Sequence, residues 1–112
     1  MATDLEFADY VCEQMRGQNQ ISHRKMFGEY TVYAGEKVVA LVADNQVFVK
    51  PTDAGRALLG TPTMAPPYPG AKDFFLIDAQ LDDRDFMATL IAATAHALPA
   101  PKPKLAKKKK AK

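Results

Sequence analysis

The chain has 112 residues, 15 Lys or Arg against 13 Asp or Glu, and an apolar fraction of 47%. This is enough chain and enough apolar side chain for one domain with a core, and it excludes wholesale disorder. A single cysteine, Cys12, excludes an internal disulfide, and the sequence holds no Cys/His cluster with the spacing of a structural metal site.

The net charge of +2 averages two unlike regions. From Pro99 onward there are seven lysines and no acid; the other eight basic residues face 13 acids, which leaves the body at −5. Asp4, Glu6 and Asp9 stand where a secretion signal needs a basic segment and an apolar run. No stretch approaches the roughly 20 apolar residues that span a bilayer. The expected address is the cytoplasm, without a membrane partner.

The first predicted element is a helix over Thr3–Arg16, with Thr3 and Glu6 at capping-box spacing and an apolar stripe of Leu5, Ala8, Val11, Cys12 and Met15. Gly17 stops it. Cys12 lies on the stripe and reads as a small buried hydrophobe rather than a reactive thiol. After a polar connection, Arg24–Lys50 reads as three antiparallel strands: about Arg24–Tyr33, Lys37–Ala43 and Val47–Lys50. Turns at Ala34-Gly35-Glu36 and Asp44-Asn45-Gln46 join them, with Gly35 suited to positive φ. The middle strand is apolar at nearly every position, with Val38, Ala40 and Val42 expected on one face and Val39, Leu41 and Ala43 on the other. Both faces of the sheet therefore need cover. With three helices to supply it, a homodimer is favoured over a fully covered monomer.

A short helix over Asp53–Leu59 follows, capped by Thr52 and closed by Gly60. Thr61–Ala71 is too proline-rich for a central strand and supplies a brief edge strand near Thr63–Ala65. Asp73–Asp78 reads as a strand. The last helix starts with Asp82 as cap, Asp85 in the capping-box position and a Leu81/Phe86 staple, and presents Phe86, Leu90, Ile91, Thr94 and Leu98 on one face before Pro99 ends it. The fold class is α+β: a two-layer arrangement of an antiparallel sheet with flanking helices, in the order α-β-β-β-α-(β)-β-α. Residues 1–98 form the domain, and residues 99–112 an Ala/Pro/Lys-rich tail expected to be disordered.

The ordered string Arg24, Met26, Phe27, Gly28, Tyr30, then Gly35, then Ala40-Leu41-Val42-Ala43-Asp44, then Phe48 and Lys50 resembles the TfoX/Sxy N-terminal-domain family. Phe74-Phe75 and the Asp82/Asp85 helix start fit the same pattern, and the resemblance covers about residues 5–98. Two departures stand out. Glu29 occupies a position where the family often has a second glycine, and a lysine tail stands where the competence regulators carry a further domain. The resemblance implies a two-layer fold like that of secretion chaperones, and transcription or competence regulation rather than catalysis.

Enzyme readings find little support. His23 precedes the first strand, and His96 sits where a cation suits a helix C-terminus. No nucleophile elbow surrounds Ser22, and no phosphate-binding glycine loop is present. No cofactor is expected. Met26 and Phe27 read as core residues on opposite faces. Arg24, Lys25, Gly28 and Lys50 are the candidate contacts for a partner or an anion, with a plain strand-flanking role for the cations as the alternative. The tail lysines Lys102, Lys104, Lys107, Lys108, Lys109, Lys110 and Lys112 are candidates for non-specific nucleic-acid contact through phosphate neutralisation. No aromatic interleaves them, so base stacking is not expected. Two functions follow as expectations: a regulatory domain acting through a protein partner with a DNA-binding tail, or a chaperone-like or adaptor homodimer using its sheet face, with the tail incidental.

Overall fold

A computed structural model of the chain describes residues 4–26 and 29–99. The elements are α1 (Leu5–Arg16), β1 (Ile21–Met26), β2 (Glu29–Ala34), β3 (Lys37–Ala43), β4 (Gln46–Val49), α2 (Asp53–Leu59), β5 (Thr63–Ala65), β6 (Phe74–Ile77), a 3-10 turn (Ala79–Asp82) and α3 (Arg84–Ala97). The six strands form one antiparallel sheet in the order β1-β2-β3-β4-β6-β5. The α+β class and the element order are as expected, with one difference at the start. The run read as a single strand from Arg24 is a hairpin, β1 and β2, in which Met26 pairs with Glu29. Its aromatic and β-branched residues continue across the reversal, so hydrophobic pattern does not mark it, and Gly28 is the one turn signal in the sequence.

The other turns follow from local chemistry. Gly35 has φ +62°, and Asp44 and Asn45 have φ +52° and +56°, the paired positive values of a two-residue type I′ hairpin. Asn and Asp tolerate that region better than other side chains.

The helices pack on one face only. Tyr30, Val32, Val39, Ala40, Val42, Val47, Val49, Phe75 and Ile77 from the sheet join Ala8, Val11, Cys12 and Met15 of α1 and Met87, Leu90 and Ile91 of α3 in one core. Strict alternation along β3 fails at a bulge: Val32 pairs with Ala40 but Tyr33 with Val38, so Val39 is the extra residue. Val39 and Ala40 both enter the core. The expected split of Val38, Ala40 and Val42 against Val39, Leu41 and Ala43 is corrected accordingly. α2 joins the same layer at Gly55, where an added Cβ would lie 3.1 Å from the Phe75 ring and 3.4 Å from Leu90. The Arg56 guanidinium sits 5.5 Å from the centroid of that ring.

Polar groups fix how α1 and α3 meet. Gln14 is buried and donates from Nε2 to the Leu81 carbonyl at 3.0 Å. Asn19 donates from Nδ2 to the carbonyls of Met15 and Ala88, joining the end of α1 to the middle of α3. Gly17 lies so close to α3 that an added Cβ would sit 2.6 Å from the Ala88 Cβ. Lys37 reaches across from β3 and donates to the Ala95 carbonyl at 2.6 Å, placing a cation at the negative end of α3.

Two helix caps and one stripe residue differ from expectation. α1 is capped at Asp4 with no side-chain bond to the backbone, and Thr3 lies outside the described residues. Leu5 is exposed rather than part of the stripe. α3 is capped by Asp83, whose carboxylate accepts from the Phe86 amide at 3.1 Å, not by Asp82. Asp82 closes the preceding 3-10 turn and accepts a hydrogen bond from the Tyr10 hydroxyl instead, which raises the Tyr10 pKa above its ordinary value. α2 is capped as expected, Thr52 Oγ1 accepting from the Gly55 amide at 2.9 Å. Among the described residues no helix is long and apolar enough to cross a membrane.

Candidate functional site

The sheet face turned away from the helices carries a concavity lined largely by apolar side chains. Thr31, Leu41, Phe48 and Leu76 are paired neighbours across β2, β3, β4 and β6, and their side chains share this face. Phe48 and Ala43 are buried there yet stand outside the helix-side core. The segment between β5 and β6 folds over part of this face: Pro67 is buried, and Tyr68 beside it is 59% exposed. Between this segment and the strands lies a groove of about 560 Å³, lined by Met26 of β1, Glu29 and Thr31 of β2, Leu41 and Ala43 of β3, and Pro67 and Tyr68. Met26, read from sequence as core, is 42% exposed at the groove's rim, because the hairpin reversal that follows it places it at the sheet's corner.

The groove is apolar with a polar edge. Glu29 is held in place by accepting from the Asp44 amide at 3.2 Å. Such a surface excludes water from an inserted side chain.

The sequence-selected cations do not form one patch. Arg24 and Lys25 are successive residues of β1 and project to opposite faces. Arg24 lies on the groove side, its guanidinium 6.0 Å from the Tyr33 ring centroid. Lys50 follows β4, bonded through its amide to the Val39 carbonyl, three strands away from β1 and thus about 14 Å across the sheet. It borders a smaller hollow with Glu36, Lys37, Val38, Leu98 and Pro99. Gly28 and the seven tail lysines lie outside the described residues.

His23, next to Arg24, points to the helix side. Its Nε2 is 2.9 Å from Asp9 Oδ1 of α1, and its ring meets Tyr30 edge-on at 5.1 Å. These contacts give it a structural role, fastening β1 to α1. Cys12 is buried among core side chains, and burial pushes its thiol up to about 11, with Asp9 adding to the shift and Arg16 opposing it. Among the described residues no group of three or more His, Cys, Asp or Glu side chains is placed to hold a metal ion.

Pro67 and Tyr68 were not among the sequence-derived site residues. Their only sequence signal is one tyrosine inside a proline-rich segment, since folding back over the sheet depends on contacts remote in the chain.

Comparison with known protein families gives a match over most of the chain. The model of the TfoX N-terminal domain aligns with residues 13–98, from the middle of α1 to the residue that follows α3. The chain is also 44% identical over 109 residues to the uncharacterized 12.7 kDa protein in the trpE 5′ region of Spirochaeta aurantia, covering 97% of this chain and 95% of that one. With a family match across most of the ordered elements and a relative alike from end to end, this chain belongs to the TfoX N-terminal domain family.

Proposed function

We propose that the chain is a non-enzymatic cytoplasmic regulatory domain, of transcription or competence type, that works by holding a protein partner in the groove on its uncovered sheet face. The observation that carries this reading is the groove itself: an apolar trough between Leu41 and Tyr68 on the side of the sheet that no helix covers. A partner side chain entering it would be desolvated against Met26, Leu41 and Pro67, the setting in which a few residues supply most of an interface's affinity. The lysines after Pro99 add non-specific affinity for nucleic acid, because neutralised phosphates release counterions.

The groove is tested by placing a photo-crosslinking residue at position 68 in cells of the native organism. A trapped protein that is released by Leu41→Lys supports the reading. Crosslinks indifferent to that substitution, or crosslinks only between copies of this chain, would remove it, and the latter would make a self-paired adaptor the better account. The tail is tested separately by titrating duplex DNA with the full chain and with a chain ending at Leu98. The full chain should bind at low salt, with a log–log salt slope of about −6 if all seven lysines engage. Equal binding by the two would take the tail out of the function.

A further inference from the structure

The two edges of the sheet are not alike. β5 is three residues long and flanked by Pro62 and Pro66, so it offers little ladder to a further strand. β1 is six residues long, contains no proline, and pairs with β2 on one side only.

The hydrogen-bond phase of β1 is set by the residue before it. The Gly35 amide donates to the Gln20 carbonyl at 2.8 Å, which makes that a hydrogen-bonded pair of the antiparallel ladder. Alternation then makes Ser22–Tyr33, Arg24–Thr31 and Met26–Glu29 hydrogen-bonded pairs as well. Ile21, His23 and Lys25 therefore turn their amides and carbonyls away from β2, toward the free edge. Arg24 and Lys25, on opposite faces, add a cation above and below that edge. Neither is ion-paired among the described residues, the nearby carboxylate of Asp9 being engaged by His23 and that of Glu29 by the Asp44 amide.

We infer that β1 is a docking edge for an extended acidic peptide segment, which joins the sheet as a seventh strand through the backbone of Ile21, His23 and Lys25 and meets Arg24 and Lys25 with its carboxylates. Main-chain bonds supply affinity in this mode and side chains supply selection. A second copy of the chain fits less well. The symmetric register that brings the three outward residues of both copies together sets His23 opposite His23 and Arg24 opposite Ser22, diagonal to the other Arg24, and β1 carries no carboxylate to meet either cation. This edge is distinct from the groove, but it rests on the same reading of the chain as a protein-contact domain.

The test is amide exchange on the isotope-labelled full chain, with a short acetylated and amidated peptide, half glutamate and half valine, as probe. Exchange at Ile21, His23 and Lys25 should slow by about ten-fold, with no slowing when lysine replaces glutamate in the peptide. Lys25→Pro deletes one outward donor and leaves the inner ladder intact, and it should abolish the effect. Arg24→Glu keeps every backbone donor and should weaken it, so the test survives if the proline variant does not fold. Leu41→Lys, which breaks the groove, should leave the protection unchanged, so the two surfaces fail separately. No slowing, equal slowing by both peptides, or slowing that rises with protein concentration alone would overturn the inference.

Discussion

The two faces of the sheet divide the molecule's work. On the helix side, Val32, Val39, Val42, Val49 and Phe75 are fully enclosed and meet three helices. On the other side, Leu41 is half-buried, Met26 and Tyr68 are exposed, and cover comes from one segment between β5 and β6. The difference shows how one strand can be apolar at almost every position without both faces being core. The bulge at Val39 draws an extra side chain into the helix layer, and what remains outside forms an open apolar trough rather than a second core.

If stability resides on the helix side, Phe75→Ala should lower the free energy of unfolding by about 3–5 kcal/mol, as measured by denaturant titration. A loss below about 1 kcal/mol would break the contrast between the faces. Gly17→Ala should come next. Its φ is +45°, and the new Cβ would collide with Ala88, so a loss of about 1–3 kcal/mol is expected in the same experiment. Leu41→Ala, on the groove side, should cost only about 1 kcal/mol, the worth of a partly buried side chain, while its effect on partner capture is large. If it destabilised as much as Phe75→Ala, the groove would be core.

The last effect, absent at neutral pH, belongs to Cys12. A folded-state pKa raised from 9.0 to about 11 means that the thiol stays protonated in the native protein after it ionises in the unfolded chain. Its contribution to stability is therefore full below about pH 9 and lost as pH rises toward 11. Alkylation of native protein should be slow at pH 8 and accelerate through that window, whereas fast alkylation at pH 8 would place the thiol at the surface.

Much of this division could be read from residue order, and the failures have common causes. The β3–β4 hairpin, α2 with its Thr52 cap, and the brief β5 edge all follow from signals within a few residues of each other. The β1–β2 reversal was hidden because Tyr30, Thr31, Val32 and Tyr33 keep strand chemistry running past it. Asp82, expected as the cap, has its carboxylate bonded by Tyr10, which lies 72 residues earlier and gives no local signal. Nothing local marks Gln14 as buried, because its acceptor, the Leu81 carbonyl, is 67 residues away. For the groove the limit was the same: Leu41 and Tyr68 face each other only after the β5–β6 segment has folded over the sheet. The cations chosen from the sequence were visible as residue types, but the pleat sends Arg24 and Lys25 to different sides.

The bond from Lys37 to the Ala95 carbonyl fixes where the end of α3 lies on the sheet. It clamps the last turn of α3 beside the start of β3, and the groove opens at the other end of that strand, about 20 Å distant. Pro99 therefore lies at the far corner, beside the hollow bordered by Lys37 and Lys50. Under the proposed function, a protein seated against Leu41 would leave the Lys37 end of the sheet clear for a second contact.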